Sequence, residues 1–183
     1  NLVIKAADLL KKRTNCNKGV EITLQKNIPL QKGLGGGSSD AAATLMGLNK
    51  LWNLGLNQKE LLNMSLELGS DVPFFIFGSS AWAEGRGEIL SKVDFNEEWH
   101  LLCLPKAQIS TKKAFESLSS NFSKPYTYEE FFSKGGFNSF EKWARDSYKE
   151  IDELFVKLKK IGKPRLSGTG SSIFVSFNKL EEA

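Results

Sequence analysis

Three consecutive glycines stand where a helix is about to begin, in Pro29-Leu30-Gln31-Lys32-Gly33-Leu34-Gly35-Gly36-Gly37-Ser38-Ser39-Asp40-Ala41-Ala42-Ala43. Four of the chain's 16 glycines fall within positions 33–37. Glycine at a helix start is costly, about 0.5–1 kcal/mol per residue against alanine, unless something must come close to the backbone. Glycine also admits positive φ and lets N–H groups face a ligand with no Cβ in the way. Beyond it, Ala41 to Leu54 puts Ala42, Leu45, Leu48 and Trp52 on one face, which predicts a helix. The first N–H groups of a helix lack intrahelical partners, and its dipole favours an anion. The segment therefore has the makings of a phosphate cradle, in which Ser38 and Ser39 either cap the helix or bind a phosphate or its Mg²⁺. It is not a P-loop, because no Gly-Lys-Ser/Thr follows, and no strand–helix–strand frame of the dinucleotide type follows either. The alternative is a flexible turn before a capped helix.

Around this loop the pattern is α+β. Gly19 to Lys26 alternates Val20, Ile22 and Leu24 with polar residues and predicts a half-buried strand. Asn57 with Glu60 has capping-box spacing and opens a helix to Leu68, before Gly69. Ala81 to Lys92 holds two short strands around Gly85-Arg86-Gly87, and Trp99 to Leu104 another, closed by Pro105. Ser110 to Leu118 is predicted helical, and residues 121–134 are polar with interspersed aromatics. Asn138 with Glu141 opens a long helix to about Lys160, and Ile173 to Phe177 forms the last strand. A boundary falls near residues 92–98. Leu2, Val3, Ala6, Leu9 and Leu10 already share one helical face, and Asn178 with Glu181 has capping-box spacing just before the last residue. The expectation is a fragment that lacks an N-terminal and a C-terminal piece.

Composition narrows the function classes. Lys plus Arg number 25 and Asp plus Glu 21, a net charge of +4, which suits a phosphorylated small molecule better than nucleic acid. Cys16 and Cys103 make no disulfide framework, and with His100 they fall short of a structural zinc site. A lone histidine argues against a Ser/His/Asp or Cys/His triad. No apolar run approaches the ~18 residues of a membrane span.

Three further features carry chemistry less clearly. Asp71, after a helix-ending glycine and before an apolar segment, reads on its own as a helix N-cap. Ser167-Gly168-Thr169-Gly170 is a short turn between two strand-like stretches. Phe115 is on its own a core residue, and Thr111 lies one helical turn before it.

Taken together, these segments resemble the GHMP kinases, the family of galactokinase, homoserine kinase, mevalonate kinase and phosphomevalonate kinase. The resemblance lies in Gly33 to Ala42, Leu68-Gly69-Ser70-Asp71-Val72-Pro73-Phe74-Phe75 and Ala83-Glu84-Gly85-Arg86-Gly87-Glu88-Ile89-Leu90. It continues in Ile109-Ser110-Thr111 with Phe115 and in Arg165-Leu166-Ser167-Gly168-Thr169-Gly170-Ser171, and so runs over essentially the whole chain. It implies a ribosomal-protein-like ATP-binding domain over residues 1–95 and a ferredoxin-like substrate domain over residues 96–183. It implies ATP and Mg²⁺ as cofactors, with Pro29, Leu30, Gln31, Lys32, Gly33, Leu34, Gly35, Gly36, Gly37, Ser38 and Ser39 as the ATP-binding segment. The hydroxyl of Ser38 or Ser39 is the candidate Mg²⁺ ligand. Asp71 becomes the catalytic acidic residue, and Thr111 and Phe115 become substrate contacts, the aromatic ring stacking on a cytosine. Ser167, Gly168, Thr169 and Gly170 help shape the phosphate site.

The implied substrate is a cytidine diphosphate derivative of isoprenoid biosynthesis, in a bacterial cytoplasm or plastid stroma, with no nucleic-acid or membrane partner. Homoserine- or mevalonate-type kinases, or a non-catalytic binding module on the same fold, are the alternatives. Gln31-Lys32 departs from the family pattern, which has small residues there. The lysine and asparagine of the family's N-terminal strand have no counterpart in this sequence.

Overall fold

Asn1 sets the first helix: its side-chain oxygen accepts a hydrogen bond from the Val3 N–H at 3.0 Å, and α1 (Leu2–Thr14) follows. Asn15, in the left-handed region at φ 52°, ends it. The computed structural model describes residues 1–118, 126–133 and 136–182. The chain divides into two compact units, one of Asn1–Ile28 and Gly35–Phe95, the other of Pro29–Leu34 and Asn96–Ala183. The glycine-rich segment is thus split between them.

The first unit is mainly helical. After α1 come α2 (Gly36–Leu51), α3 (Gln58–Ser65) and α4 (Val72–Phe77), then the antiparallel hairpin β1 (Ala81–Glu84) and β2 (Ile89–Lys92). Ala6, Leu10, Ala41, Ala42, Leu45, Leu48, Trp52, Val72 and Ile76 form its buried core. Alanines on both α1 and α2 let the two helices approach closely, while each buried leucine contributes about 1.5–3 kcal/mol. The capping box at α3 is complete: Asn57 Oδ1 accepts from the Glu60 N–H at 3.0 Å, and Glu60 Oε2 accepts from the Asn57 N–H at 2.8 Å.

Two expectations change here. Helix α2 begins at Gly36, five residues before the apolar pattern does. The stretch Gly19 to Lys26 is not a strand. A strand needs a neighbour to hold its ladder, and among the described residues none pairs with it. Val20, Ile22 and Leu24 are accordingly 40%, 37% and 36% exposed.

The second unit is built on a three-stranded antiparallel sheet in the order β3 (Trp99–Cys103), β5 (Ile173–Phe177), β4 (Arg165–Leu166). Leu101 pairs with Val175, and Leu166 with Ile173. The unit's helices are α5 (Thr111–Ser117), α6 (Tyr128–Ser133), α7 (Glu141–Ser147) and α8 (Lys149–Leu158). Ile109, Ala114, Ala144, Ile151, Phe155, Leu166, Ile173 and Val175 form the core. His100 is exposed on the edge strand β3, its Nδ1 3.0 Å from the Ser176 hydroxyl.

The single helix expected from Asn138 to Lys160 is two helices. Tyr148 (φ −130°, ψ 99°) breaks it, ending α7 and starting α8. The capping box expected there does not form, because the Asn138 side chain is engaged elsewhere. It donates to the Leu166 and Gly168 carbonyls at 2.9 and 2.7 Å, while its oxygen accepts from the Phe140 N–H. A short 3₁₀ turn, Leu180–Glu182, stands where a helix was expected to begin. Of the polar stretch 121–134, residues 121–125 and 134 lie outside the described residues. Among those described, no helix is long and apolar enough to cross a membrane.

Candidate active site

In the second unit, residues 29–34 lie on the turn Ser167–Ser171. The Ser167 hydroxyl donates to the Gly33 carbonyl at 2.8 Å, and the Ser172 N–H to the Lys32 carbonyl at 3.2 Å. The turn closes on itself through the Gly170 N–H, which donates to the Ser167 carbonyl at 2.8 Å. Gly33 sits at φ +69°, and a Cβ there would lie 2.1 Å from the Ser167 carbonyl oxygen and 2.9 Å from the Gly170 nitrogen. Two backbones touch at this point, so glycine is demanded by the fold as well as by any ligand. Thr169 and Thr111 bring their hydroxyls to 3.4 Å of each other. Phe115, which the residues alone suggested as core, is 59% exposed; its ring meets Phe140 edge-on at 5.0 Å.

In the first unit, Gly35 (φ 66°) is the N-cap of α2, and no side chain caps the helix. Ser38 and Ser39 therefore lie inside the first turn and do not cap it; the Ser39 N–H donates to the Gly35 carbonyl at 2.9 Å. The N–H groups of Gly36, Gly37 and Ser38, before it, are left without intrahelical acceptors. A Cβ on Gly35 would meet the Phe75 ring at 2.7 Å, but one on Gly37 would meet only the Leu2 Cδ1 at 3.5 Å. Gly37 is thus a glycine that packing within the unit does not require. Lys26 forms an ion pair with Asp40 beyond the serines.

Asp71 precedes α4 at the N-cap position and is exposed, yet its side chain makes no capping bond. Pro73 supplies the preset φ of an early helical position instead. The carboxylate is left available. The turn Gly85-Arg86-Gly87 lies against the residue before it: a Cβ on Gly87 (φ +107°) would sit 2.3 Å from the Ser70 carbonyl oxygen. The two segments, separate in sequence, thus meet around Asp71.

The description "GHMP kinases N terminal domain" fits residues 1–79. The chain is 42% identical to the 4-diphosphocytidyl-2-C-methyl-D-erythritol kinase of Nitrosococcus oceani, aligned over 100% of the chain and 66% of that protein. It is 39% identical to the protein of the same name from Haemophilus ducreyi, over 100% of the chain and 65% of the relative. Over residues 1–79 the chain thus resembles the N-terminal domain of the GHMP kinases. A crystal structure of 4-(cytidine 5'-diphospho)-2C-methyl-D-erythritol kinase superimposes with a TM-score of 0.82 at 29% identity, covering 100% of this chain and 71% of that one. Homoserine kinase from Cytophaga hutchinsonii gives 0.77 at 17% identity, over 100% and 68%, a likeness of fold alone. The chain spans just under two thirds of the length of the curated relatives, 66% of the first.

Several contacts that shape this candidate site could not be read from the sequence. Asn138 holds the Ser167–Gly170 turn from below through the Gly168 carbonyl. Phe140 supports Phe115. Lys32 turns its ammonium to the carbonyls of Pro105 and Ala107 (2.9 Å to the latter) and to the Ser171 hydroxyl at 3.2 Å. Glu150 accepts from the N–H groups of Lys106 and Ala107 at 2.8 and 2.9 Å. Those two bonds, with the Lys32 and Lys106 charges nearby, hold its carboxyl below the usual glutamate value. The departure at Gln31-Lys32 was the one available hint that loop contacts differ here.

Proposed function

We propose that the whole protein transfers the γ-phosphoryl group of ATP to the tertiary 2-hydroxyl of 4-diphosphocytidyl-2-C-methyl-D-erythritol, in the non-mevalonate route to isoprenoids. The observation that carries this reading is 42% identity across the entire chain to a protein bearing that kinase's name. The uncapped first turn of α2, and a glycine at position 37 that its packing against Leu2 does not require, support a triphosphate held by residues 33–39. A dedicated cage of carboxylates is not needed for Mg²⁺, which commonly takes one or two protein oxygens and completes its shell with phosphates and water. The Ser38 and Ser39 hydroxyls fit that role. When bound, the ion neutralises charge between the phosphates.

Asp71, exposed and unspent on capping, is suited to orient or deprotonate the attacking hydroxyl. Thr111 and Phe115 would contact the cytidyl group, and Ser167 to Gly170 would shape the phosphate site. Residues 1–95 would form the ATP-binding domain and 96–183 the substrate domain, in a bacterial cytoplasm or plastid stroma. Phosphoryl transfer of this kind asks mainly for positioning and charge stabilisation. Coupled ATP-consumption assays on the full-length protein with the cytidyl substrate, mevalonate and homoserine test the reading. Turnover of mevalonate or homoserine at a comparable kcat/KM would overturn it.

A further inference from the structure

We propose that Lys32 is a positioning residue: its ammonium is a strut that fixes the entry of the glycine-rich loop, and is not itself a phosphate ligand. The proposal rests on the reading of residues 33–39 as the triphosphate loop. An ammonium has three N–H donors. Here three acceptors meet it: the Ala107 carbonyl at 2.9 Å, the Ser171 hydroxyl at 3.2 Å and the Pro105 carbonyl. All are neutral oxygens, and they leave the charge no donor to offer an incoming phosphate.

The same turn is gripped from its other side. Glu150, on α8, accepts from the Lys106 and Ala107 N–H groups at 2.8 and 2.9 Å. A cation on the carbonyls and an anion on the amides polarise this segment in the same sense, so each strengthens the other. Ser171, touched by Lys32, also donates to the Ala107 carbonyl at 2.5 Å. On the loop side, the Lys32 carbonyl accepts from the Ser172 N–H at 3.2 Å, and the next carbonyl, that of Gly33, accepts from the Ser167 hydroxyl at 2.8 Å. Residues 32 and 33 are thereby tied to the turn 105–107 and to the turn 167–172. Just before them, Gln31 sits at φ 56°, a conformation that non-glycine residues adopt rarely. A strut after a left-handed residue keeps the chain from relaxing out of that turn.

The test uses the full-length enzyme and three variants: Lys32→Met, which keeps the unbranched apolar stem and removes the ammonium, Glu150→Gln, and the double variant. ATP affinity is read by titration calorimetry, and the KM values for ATP and for the cytidyl substrate with kcat. Lys32→Met should weaken ATP binding and raise its KM about tenfold, the scale of losing a charge-assisted hydrogen-bond set. Both kcat and the KM for the cytidyl substrate should stay within about twofold, since the reacting groups are untouched. Glu150→Gln should raise the ATP KM in the same direction, and the double variant should fall short of the product of the two effects. Unchanged ATP affinity in Lys32→Met would overturn the proposal. So would an ATP defect in Lys32→Met with wild-type behaviour in Glu150→Gln, because a direct phosphate ligand predicts that pattern. Wild-type protein that binds ATP but does not phosphorylate the cytidyl substrate would defeat the kinase reading instead, and the ATP affinities would still decide the strut.

Discussion

Gly33 and Gly37 lie in the same glycine-rich segment, one before α2 and one in its first turn, and alanine at each should fail in a different way. At Gly33 the added Cβ would lie 2.1 Å from the Ser167 carbonyl oxygen and 2.9 Å from both the nitrogen and the oxygen of Gly170. All three are backbone atoms, so the turn must move as a body. The left-handed φ of +69° adds about 1–2 kcal/mol for a residue with a Cβ. Overpacking adds about 1–3 kcal/mol, and losing the Ser167 hydroxyl bond to the Gly33 carbonyl about 0.5–1.5 kcal/mol. Gly33→Ala should therefore destabilise the protein by about 3–6 kcal/mol. At Gly37 the Cβ meets only the Leu2 Cδ1 of α1 at 3.5 Å, ordinary van der Waals contact. Gly37→Ala should leave stability unchanged or raise it by up to about 1 kcal/mol. A methyl on the first turn of α2 nevertheless stands where a phosphate would approach the backbone. ATP affinity should drop about tenfold or more, a step of roughly 1.4 kcal/mol per decade. Urea unfolding and ATP titration of the full-length variants check both halves. Gly37→Ala with wild-type stability and wild-type ATP affinity would refute the argument that this glycine serves a ligand.

Asp71→Asn keeps the size of the side chain and removes its charge; kcat should fall by about 10²-fold or more while stability barely changes, because Asp71 makes no capping bond. A near-normal kcat in steady-state assays would rule out proton transfer. Glu150 has its carboxyl lowered by two backbone N–H groups, so its contribution to stability is present above the ordinary glutamate pKa of about 4.3 and is lost as pH falls through the lower folded value. The stability gap between wild type and Glu150→Gln should therefore close in acid unfolding below about pH 4; a gap that widens there would contradict the sign. Burial pushes the Cys103 thiol up, so iodoacetamide at pH 8 should label it more slowly than an unhindered peptide cysteine, as read by peptide mass spectrometry.

What was legible in the sequence was local. Asn57 with Glu60 formed the capping box its spacing announced, because both side chains are exposed and have nothing better to bind. Asn138 with Glu141 has the same spacing and formed none, because distant carbonyls of Leu166 and Gly168 compete for the Asn138 amide. The strand pattern of Gly19 to Lys26 is sound as periodicity, but strands are pairwise objects and its ladder has no partner among the described residues. At the candidate site, the glycines announced a phosphate cradle. Their division of labour did not show: Gly33 and Gly35 are required by neighbours far along the chain, Ser167 and Phe75, whereas Gly37 is not. Lys32 looked like part of the cradle by position. Only the fold reveals that its ammonium is turned toward Pro105, Ala107 and Ser171.

The central claim is phosphoryl transfer to one particular hydroxyl, and the product reports it directly. Full-length protein incubated with ATP, Mg²⁺ and 4-diphosphocytidyl-2-C-methyl-D-erythritol should yield one new phosphomonoester by ³¹P NMR. A phosphate on the tertiary 2-hydroxyl has no carbinol proton to couple to, so its signal should be an uncoupled singlet. A resonance split by carbinol protons, marking a primary or secondary hydroxyl, or ATP loss with no new phosphomonoester, would contradict the account.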